Sequence, residues 1–302
     1  MKRKYQELLA VLIILFIYLG IFINPKLIIE SGITSINIFK TRLFPSIFPF
    51  FVLASLLLNL GLADKISRKI NFIIKRVFHI EGISSFIVVI SIISGFPSGS
   101  KYISDCYKKG LINKRVSNYL LTFTHFGNPL FILGTCAIVL NDITIAYKIL
   151  IINIVANIIL GIILRPKEII SSNYTLKNEK VTFMEALPNA INDAIKLLLF
   201  MLGSITFFMF FSKLLTSLIN LNDFYTVIIT GILDLTSGIS MVNTLNISSY
   251  LQGLIVLSFI TFGSLSVHLQ VINNIKEQDL SYKYFFIGRI IETSLALILY
   301  LL

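Results

Sequence analysis

The stretch from Ser94 to Gly134 reads SGFPSGSKYISDCYKKGLINKRVSNYLLTFTHFGNPLFILG and decides the fold class. It interrupts two apolar runs: a glycine, proline and serine cluster ends the run before it, and a second cluster around Asn128 breaks the run inside it. An unpaired backbone amide in lipid costs several kcal/mol, so helix-breaking residues persist at membrane depth only where they are packed in protein or line a polar cavity. Two neighbouring breaks therefore predict a binding site inside a membrane.

Composition supports a membrane location. The chain has 302 residues, of which 56% are hydrophobic and only 14% are charged. A soluble core cannot bury that much apolar surface, so we predict a polytopic membrane protein. The formal net charge is +11, but the cations lie in short blocks between apolar runs, where helix orientation explains them better than binding to nucleic acid. The two cysteines, Cys106 and Cys136, have no metal-like spacing and give no support to a disulfide or zinc framework.

Apolar runs outline the predicted spans. Residues 8–23 follow a basic N-terminus, and because no small-residue cleavage site comes after them we predict a retained anchor helix rather than a signal peptide. Residues 27–41 are predicted to be an interfacial connector. Residues 64–81 alternate basic and apolar positions at helical spacing, which fits either a helix on an anionic membrane face or a solvated loop helix. The remaining spans are predicted over 43–62, 143–164, 194–219 and 284–302, with broken hairpins over 83–100 and 225–242 and interrupted spans over 116–140 and 250–272.

The two halves of the chain repeat. Residues 122–128 (TFTHFGN) align with residues 258–264 (SFITFGS), with two phenylalanines and a glycine in common. A Ser-Gly pair precedes each of these glycines, Ser98-Gly99 by about 28 residues and Ser237-Gly238 by about 25. We therefore predict an anchor and connector (residues 1–42), a first repeat (43–164), a cytoplasmic connector (165–193) and a second, inverted repeat (194–302).

Charge placement supports this inversion. If the N-terminus is cytoplasmic and both broken runs return to the side from which they enter, most of the 26 lysines and arginines fall in cytoplasmic segments. The outer connectors near residues 141–142, 220–223 and 243–249 then hold none, as the positive-inside rule requires. Inverted repeats with discontinuous helices are the architecture of secondary transporters. The predicted fold is thus an all-α polytopic membrane protein with inverted repeats and re-entrant, broken helical hairpins.

Several motifs carry a family resemblance from Leu43 onward. They are LFPSIFPFFVLASLL (43–57), SGFPSGSK (94–101), CYKKGLI (106–112), FGNPLFILG (126–134), DLTSGI (234–239) and FGSLSVHLQV (262–271). Together they resemble the sporulation integral membrane proteins of the YlbJ type, within a wider group with a Gate, or nucleoside-recognition, domain that is similar to concentrative nucleoside transporters. On this resemblance both repeats are Gate-like.

The resemblance implies a function. It implies transport of dipicolinic acid out of the mother-cell cytoplasm, across the outer forespore membrane, during endospore formation. The alternatives are a structural or assembly role in sporulation, in spore cortex formation, and transport of a nucleoside-like solute. Nucleoside transporters of this architecture often carry a glutamate where this chain has Asp234, so the domain name does not fix the substrate.

A site for such an anion is predicted at the breaks. A planar dianion needs positive potential without a deeply buried cation, and N–H groups at half-helix N-termini supply it. Gly99 would let the backbone approach a carboxylate, although small residues also serve tight helix packing. The predicted substrate-binding residues are Gly95, Pro97, Ser98, Gly99, Ser100, His125, Asn128, Thr236, Ser237, Ser264 and His268.

Ionisable residues at membrane depth are further candidates. Asp234 is predicted either to bind a coupling proton or sodium ion or to cap a half-helix that begins near Thr236. His125 and His268 are predicted to share a proton or to contact the substrate, unless each is satisfied by a backbone carbonyl. Arg289 and Glu292, three residues apart, are expected to pair with each other and are left out of the site.

Enzymatic activity is not predicted. The sequence has no GxSxG, no HExxH and no glycine-rich phosphate loop after a strand. No catalytic residue, metal or cofactor is therefore expected. The predicted partners are a small anionic substrate, the lipid bilayer and a coupling ion, without nucleic acid; whether the chain forms a homo-oligomer is left open.

Overall fold

A computed structural model describes residues 2–172, 181–219 and 221–302, and it is 83% helical. Lys177, Lys180 and Asn220, which belong to the predicted connectors, lie outside these residues. In chain order the helices are α1 Lys2–Ile23, α2 Pro25–Ile38, α3 Phe44–Asn59, α4 Leu62–Phe78, α5 Ser84–Ser94, α6 Ser98–Lys108, α7 Lys114–Phe123, α8 Pro129–Phe131, α9 Ala137–Leu140, α10 Ile143–Ile163, α11 Phe183–Leu218, α12 Asp223–Leu233, α13 Leu235–Met241, α14 Ser249–Phe262, α15 Ser264–Ile275 and α16 Tyr282–Leu301.

Five segments are long and apolar enough to cross a membrane. They are Pro25–Asn59, Ile143–Ile163, Phe183–Leu218, Ser249–Ile275 and Tyr282–Leu301. Shorter apolar helices cover Ala10–Ile23, Ser84–Ser94, Pro129–Leu140 and Asp223–Leu233. The chain is therefore an all-α polytopic membrane protein, as predicted.

The segment predicted as an interfacial connector is helical and continues into the next span. Helix α2 begins at Pro25, and Asn24 caps its N-terminus. A π-helical turn over Phe39–Leu43 joins α2 to α3. In this turn the N–H of Phe44 bonds to the carbonyl of Phe39. The wider turn continues the helix up to Pro45, which has no N–H to donate. The predicted connector and the predicted span therefore form one continuous helix.

Both predicted hairpins are broken where the sequence indicates. In the first half α5 ends at Ser94, Gly95 has a φ of +72°, and α6 begins at Ser98. In the second half α12 ends at Leu233 and α13 begins at Leu235.

The two interrupted spans are broken as well. An irregular segment separates α7 from α8, and Asn128 caps α8. Gly263, with a φ of +88°, separates α14 from α15. A positive φ favours glycine because it has no Cβ. Helix α16 packs against α7, α10 and α14, so it contacts the helix before each of these two breaks.

A short pair of parallel strands joins the polar connector to the segment that follows α4. Strand β1, Ile80–Glu81, pairs with β2, Ile170–Ser171. The ammonium of Lys75 lies 2.6 Å from a carboxylate oxygen of Glu81, and this hydrogen bond lowers the pKa of Glu81.

On α4 itself Phe72 and Ile73 are exposed within a basic helix, a composition that suits a membrane interface.

Candidate functional site

The four helix breaks meet around one enclosed cavity of about 30 Å³. Residues at or beside the breaks of both halves line it together with side chains from α3 and α11. The lining residues are Leu43, Ile47, Phe96, Asn128, Phe131, Met201, Ile205, Asp234, Leu235, Thr236, Ser266, Val267 and Gln270. A cavity needs about 10–15 Å³ to hold a water molecule, so this one has room for a small ion or a water but not for a heterocyclic dicarboxylate.

Asn128 ties the first hairpin to the first interrupted span. Its amide nitrogen donates to the carbonyls of Ser94, at 3.0 Å, and Ser46, at 3.2 Å. Its amide oxygen accepts from the N–H of Phe131 at 2.9 Å, which caps α8. Gly95 packs so closely on the Asn128 backbone that a Cβ there would overlap it. Asn128 therefore holds two breaks together.

The predicted anion cradle at the start of α6 is bonded to the protein. The hydroxyl of Ser98 contacts that of Ser94 at 2.6 Å and donates to the carbonyl of Gly95. A Cβ on Gly99 would lie 2.5 Å from the carbonyl oxygen of Thr124. The absence of a side chain thus serves a close approach between two helices, which is the packing role that the sequence left open.

The hydroxyl of Ser100 faces the second half of the chain. It donates to the carbonyl of Pro97 at 2.8 Å and accepts from the amide of Asn274 at 2.9 Å. Ser264, at the start of α15, donates to the carbonyl of Gly231 in α12. These predicted residues therefore join elements of the site to one another.

Asp234 caps α13. One carboxylate oxygen, Oδ2, accepts from the N–H of Ser237 at 2.8 Å, from the Ser237 hydroxyl at 2.6 Å and from the Thr236 hydroxyl at 3.1 Å. The residue is fully buried, and its other oxygen, Oδ1, has no partner. Asp234 thus has the predicted capping role, and its Oδ1 takes no part in the cap.

The two histidines both contact Phe285. The His125 ring stacks on Phe96 with centroids 4.6 Å apart, and its Nε2 is buried without a partner. The His268 Nε2 bonds to the carbonyl of Phe262 at 3.0 Å, and its Nδ1 lies 2.6 Å from the hydroxyl of Tyr282. A carbonyl only accepts, so Nε2 of His268 carries a proton. Both histidine rings contact the Phe285 ring edge-on, with ring centroids 5.0 and 5.1 Å apart.

Arg289 and Glu292 form an ion pair, which confirms the predicted pairing. Both are completely buried. Arg289 also donates to the carbonyl of Thr122 at 2.9 Å and to that of Thr261 at 3.4 Å, near the ends of α7 and α14. The pair therefore connects the two interrupted spans, although sequence reasoning left it out of the site.

Two asparagines on α10 complete this buried network. Asn153 and Asn157 donate to one carboxylate oxygen of Glu292, at 2.8 and 2.6 Å. The amide oxygen of Asn153 accepts from the N–H of Gly127 at 2.7 Å. The sequence signal was present: two asparagines four residues apart in an apolar span, and an acid with a base in another, are expensive groups at membrane depth.

A basic surface cavity of about 430 Å³ lies beside the first hairpin. Its cations come from α6, α11 and the end of α15, and they are Lys101, Lys108, Lys196 and Lys276. Asp105, which pairs with Lys101, balances this charge together with Asp193 and Glu277, and an excess of one positive charge remains. Asn274 also lines the cavity and bonds to Ser100, so the cavity adjoins the start of α6.

The fold and these contacts define an integral, all-α membrane protein whose broken helices enclose a polar centre. No family model matches the chain. It is similar to the sporulation integral membrane protein YlbJ of Bacillus subtilis (strain 168), at 24% identity over 330 aligned positions, which cover 96% of this chain and 80% of that protein. The resemblance to the YlbJ-type proteins is thereby confirmed.

Proposed function

We propose that the chain is a transporter of a small anionic metabolite, namely dipicolinic acid, moved out of the mother-cell cytoplasm across the outer forespore membrane during endospore formation. The observation that carries this proposal is the meeting of four helix breaks around one cavity whose mostly apolar lining includes five polar residues. Such breaks are costly in lipid and are typical of secondary-transporter sites. The name of the similar Bacillus protein supports the sporulation context.

Inverted repeats with re-entrant hairpins are part of the proposal. Helix α16 packs against α7 as α10 packs against α14, which is the exchange expected if the halves are related by a pseudo-two-fold axis. The convergence of lysines from α6, α11 and α15 on one surface supports a common cytoplasmic side, where we also place the N-terminus.

The route of the anion follows from the charges. The basic cavity beside α6 would attract a dianion electrostatically and bring it to the start of the first hairpin. The inner cavity is too small for dipicolinate, so transport requires the breaks to separate. Asp234 is the proposed ion-coupling residue, and no catalytic step is assigned to the protein.

A structural or assembly role in the sporulation membrane is the second candidate. One observation favours it: the hydroxyls of Ser98, Ser100 and Ser264 are bonded within the protein. An assembly protein would keep these contacts permanently, whereas a transporter has to exchange some of them for the substrate.

Flux measurements on the purified protein distinguish the two roles. Liposomes loaded with dipicolinate should lose it when they contain the protein and retain it when they do not. Gly99→Ala should reduce this flux because its Cβ would meet the Thr124 carbonyl, whereas Gly134→Ala should not, since nothing lies within 4 Å of the new atom. Absence of protein-dependent flux would favour the assembly role.

A further inference from the structure

Three residues that line the same cavity each have a buried oxygen with no partner at hydrogen-bond distance. The three atoms are Oδ1 of Asp234, Oγ of Ser266 and Oε1 of Gln270. The three residues are 0%, 1% and 2% exposed. Ser266 and Gln270 are four residues apart on α15 and so lie on one face of that helix, while Asp234 stands between α12 and α13. Two separate elements therefore present oxygen atoms to one small space.

Buried oxygens without partners are unfavourable unless a positive charge or a hydrogen-bond donor compensates them. A buried carboxylate without a partner is strongly destabilising, and each unpaired neutral oxygen adds a desolvation penalty. Among the ion pairs found in the described part of the chain, none includes Asp234. The hydroxyl and amide donors of Thr236 and Ser237 engage only Oδ2. The Ser266 hydroxyl is a neutral donor close to this carboxylate, so what Oδ1 lacks is a positively charged partner.

We propose that Asp234, Ser266 and Gln270 bind a small monovalent cation, and that sodium is the cation that fits. Oxygen ligands of this kind select hard cations. One carboxylate with two neutral oxygens balances a single positive charge, whereas a divalent ion would leave an uncompensated charge in a buried site. The volume of about 30 Å³ accommodates one body of about the size of a water molecule.

The cation would fasten the second hairpin to α15. Asp234 would keep its cap on α13 through Oδ2 while Oδ1 binds the ion, so capping and ion binding use different atoms of one side chain. Release of the ion would allow α13 to separate from α15, and both helices line the central cavity. The assignment of this ion as the coupling ion rests on the proposed transport function; the existence of the site does not.

Thermal unfolding in detergent tests the site without any transport assay. At fixed pH and ionic strength, replacing choline by sodium should raise the melting temperature of the protein by roughly 3 °C at a sodium concentration about ten times Kd. Asp234→Asn, which keeps a capping oxygen, should abolish the sodium-dependent rise. Gln270→Leu should diminish it without lowering the melting temperature in choline, because it removes an unpaired buried oxygen. Ser266→Ala should also diminish the sodium-dependent rise.

Ser258→Ala is the matched control. Its hydroxyl bonds only to the carbonyl of Leu254 on its own helix, so the full sodium response should remain. An equal sodium response in wild type and Asp234→Asn would overturn the proposal. So would a wild-type melting temperature that follows pH but not sodium, which would make Asp234 a proton carrier. Sodium binding without dipicolinate flux would retain the site and reject the transport role.

Discussion

Arg289 is the residue on which most of the buried polar network converges. Its guanidinium pairs with Glu292 and donates to backbone carbonyls of α7 and α14. A buried ion pair gives little net stability relative to an apolar pair, but removal of one member leaves an uncompensated charge. The two carbonyls would lose their donor as well.

We therefore expect Arg289→Met to lower the free energy of unfolding by roughly 3–5 kcal/mol. The double variant Arg289→Met with Glu292→Leu should be less destabilised than the single variant, because no charge is then left buried. Lys283→Met removes an exposed cation from the same helix and should change stability by under about 0.5 kcal/mol. Denaturant unfolding in detergent measures all three; a single variant as stable as the control would refute the role of the pair.

Residue chemistry was only partly readable from the sequence. The acid in a broken apolar run pointed to Asp234, since a charge at membrane depth is conspicuous. Ser266 and Gln270 were missed because a neutral polar residue at membrane depth is a weak signal: its importance depends on which oxygens it faces. Only the packing of α15 against α13 brings them to the carboxylate.

At the scale of the elements, the broken helices are held in pairs. Asn128 donates to the carbonyl of Ser94 at the end of α5 and to that of Ser46 in α3, and it caps α8 by accepting from the N–H of Phe131. The break positions themselves were predictable, because glycine and proline mark them locally. Their pairing was not predictable in the same way, since Asn128 and Ser94 are distant in sequence and only the fold makes them neighbours.

Asn128→Ala should cost roughly 2–4 kcal/mol in unfolding free energy, because it removes a cap and takes the Asn128 donor from the buried carbonyl of Ser94 at the end of α5. Asn222→Ala is a fair comparison: Asn222 caps α12 through a bond to the N–H of Tyr225, but it is exposed. That variant should lose about 1 kcal/mol. Equal losses in the two variants would mean that Asn128 acts as a helix cap alone.

The continuity of α2 and α3 shows where local reasoning failed. The apolar pattern predicted a connector over residues 27–41 and a separate span over residues 43–62. Instead the π-helical turn accommodates both within one helix. A π turn is set by tertiary packing as much as by composition, so the apolar pattern alone did not reveal it.

At the scale of the whole molecule, the orientation of the two halves is the sharpest prediction. With the N-terminus cytoplasmic, Lys109→Cys should react with an impermeant thiol reagent only from the cytoplasmic side, and Ser248→Cys only from the opposite side. Both positions are exposed. The native cysteines, Cys106 and Cys136, are buried, so the unsubstituted protein serves as a low-background control. Labelling of both positions from one side would exclude the inverted arrangement.

Helix α11 has a consequence for the surroundings of the protein. Its 36 residues correspond to about 54 Å of helix, whereas a bilayer has a hydrocarbon core of about 30 Å. Its first turns carry Glu185, Asp193 and Lys196 and belong in water. Residues 197–218 cover about 33 Å, slightly more than the core, and tilting of the helix accommodates such a difference. Hydrophobic mismatch of this kind costs a fraction of a kcal/mol per Å. The tilt of α11, and of α2 and α3, which pack on it, therefore depends on the acyl-chain length of the host lipid. Membrane thickness thus acts on the helices that enclose the polar centre.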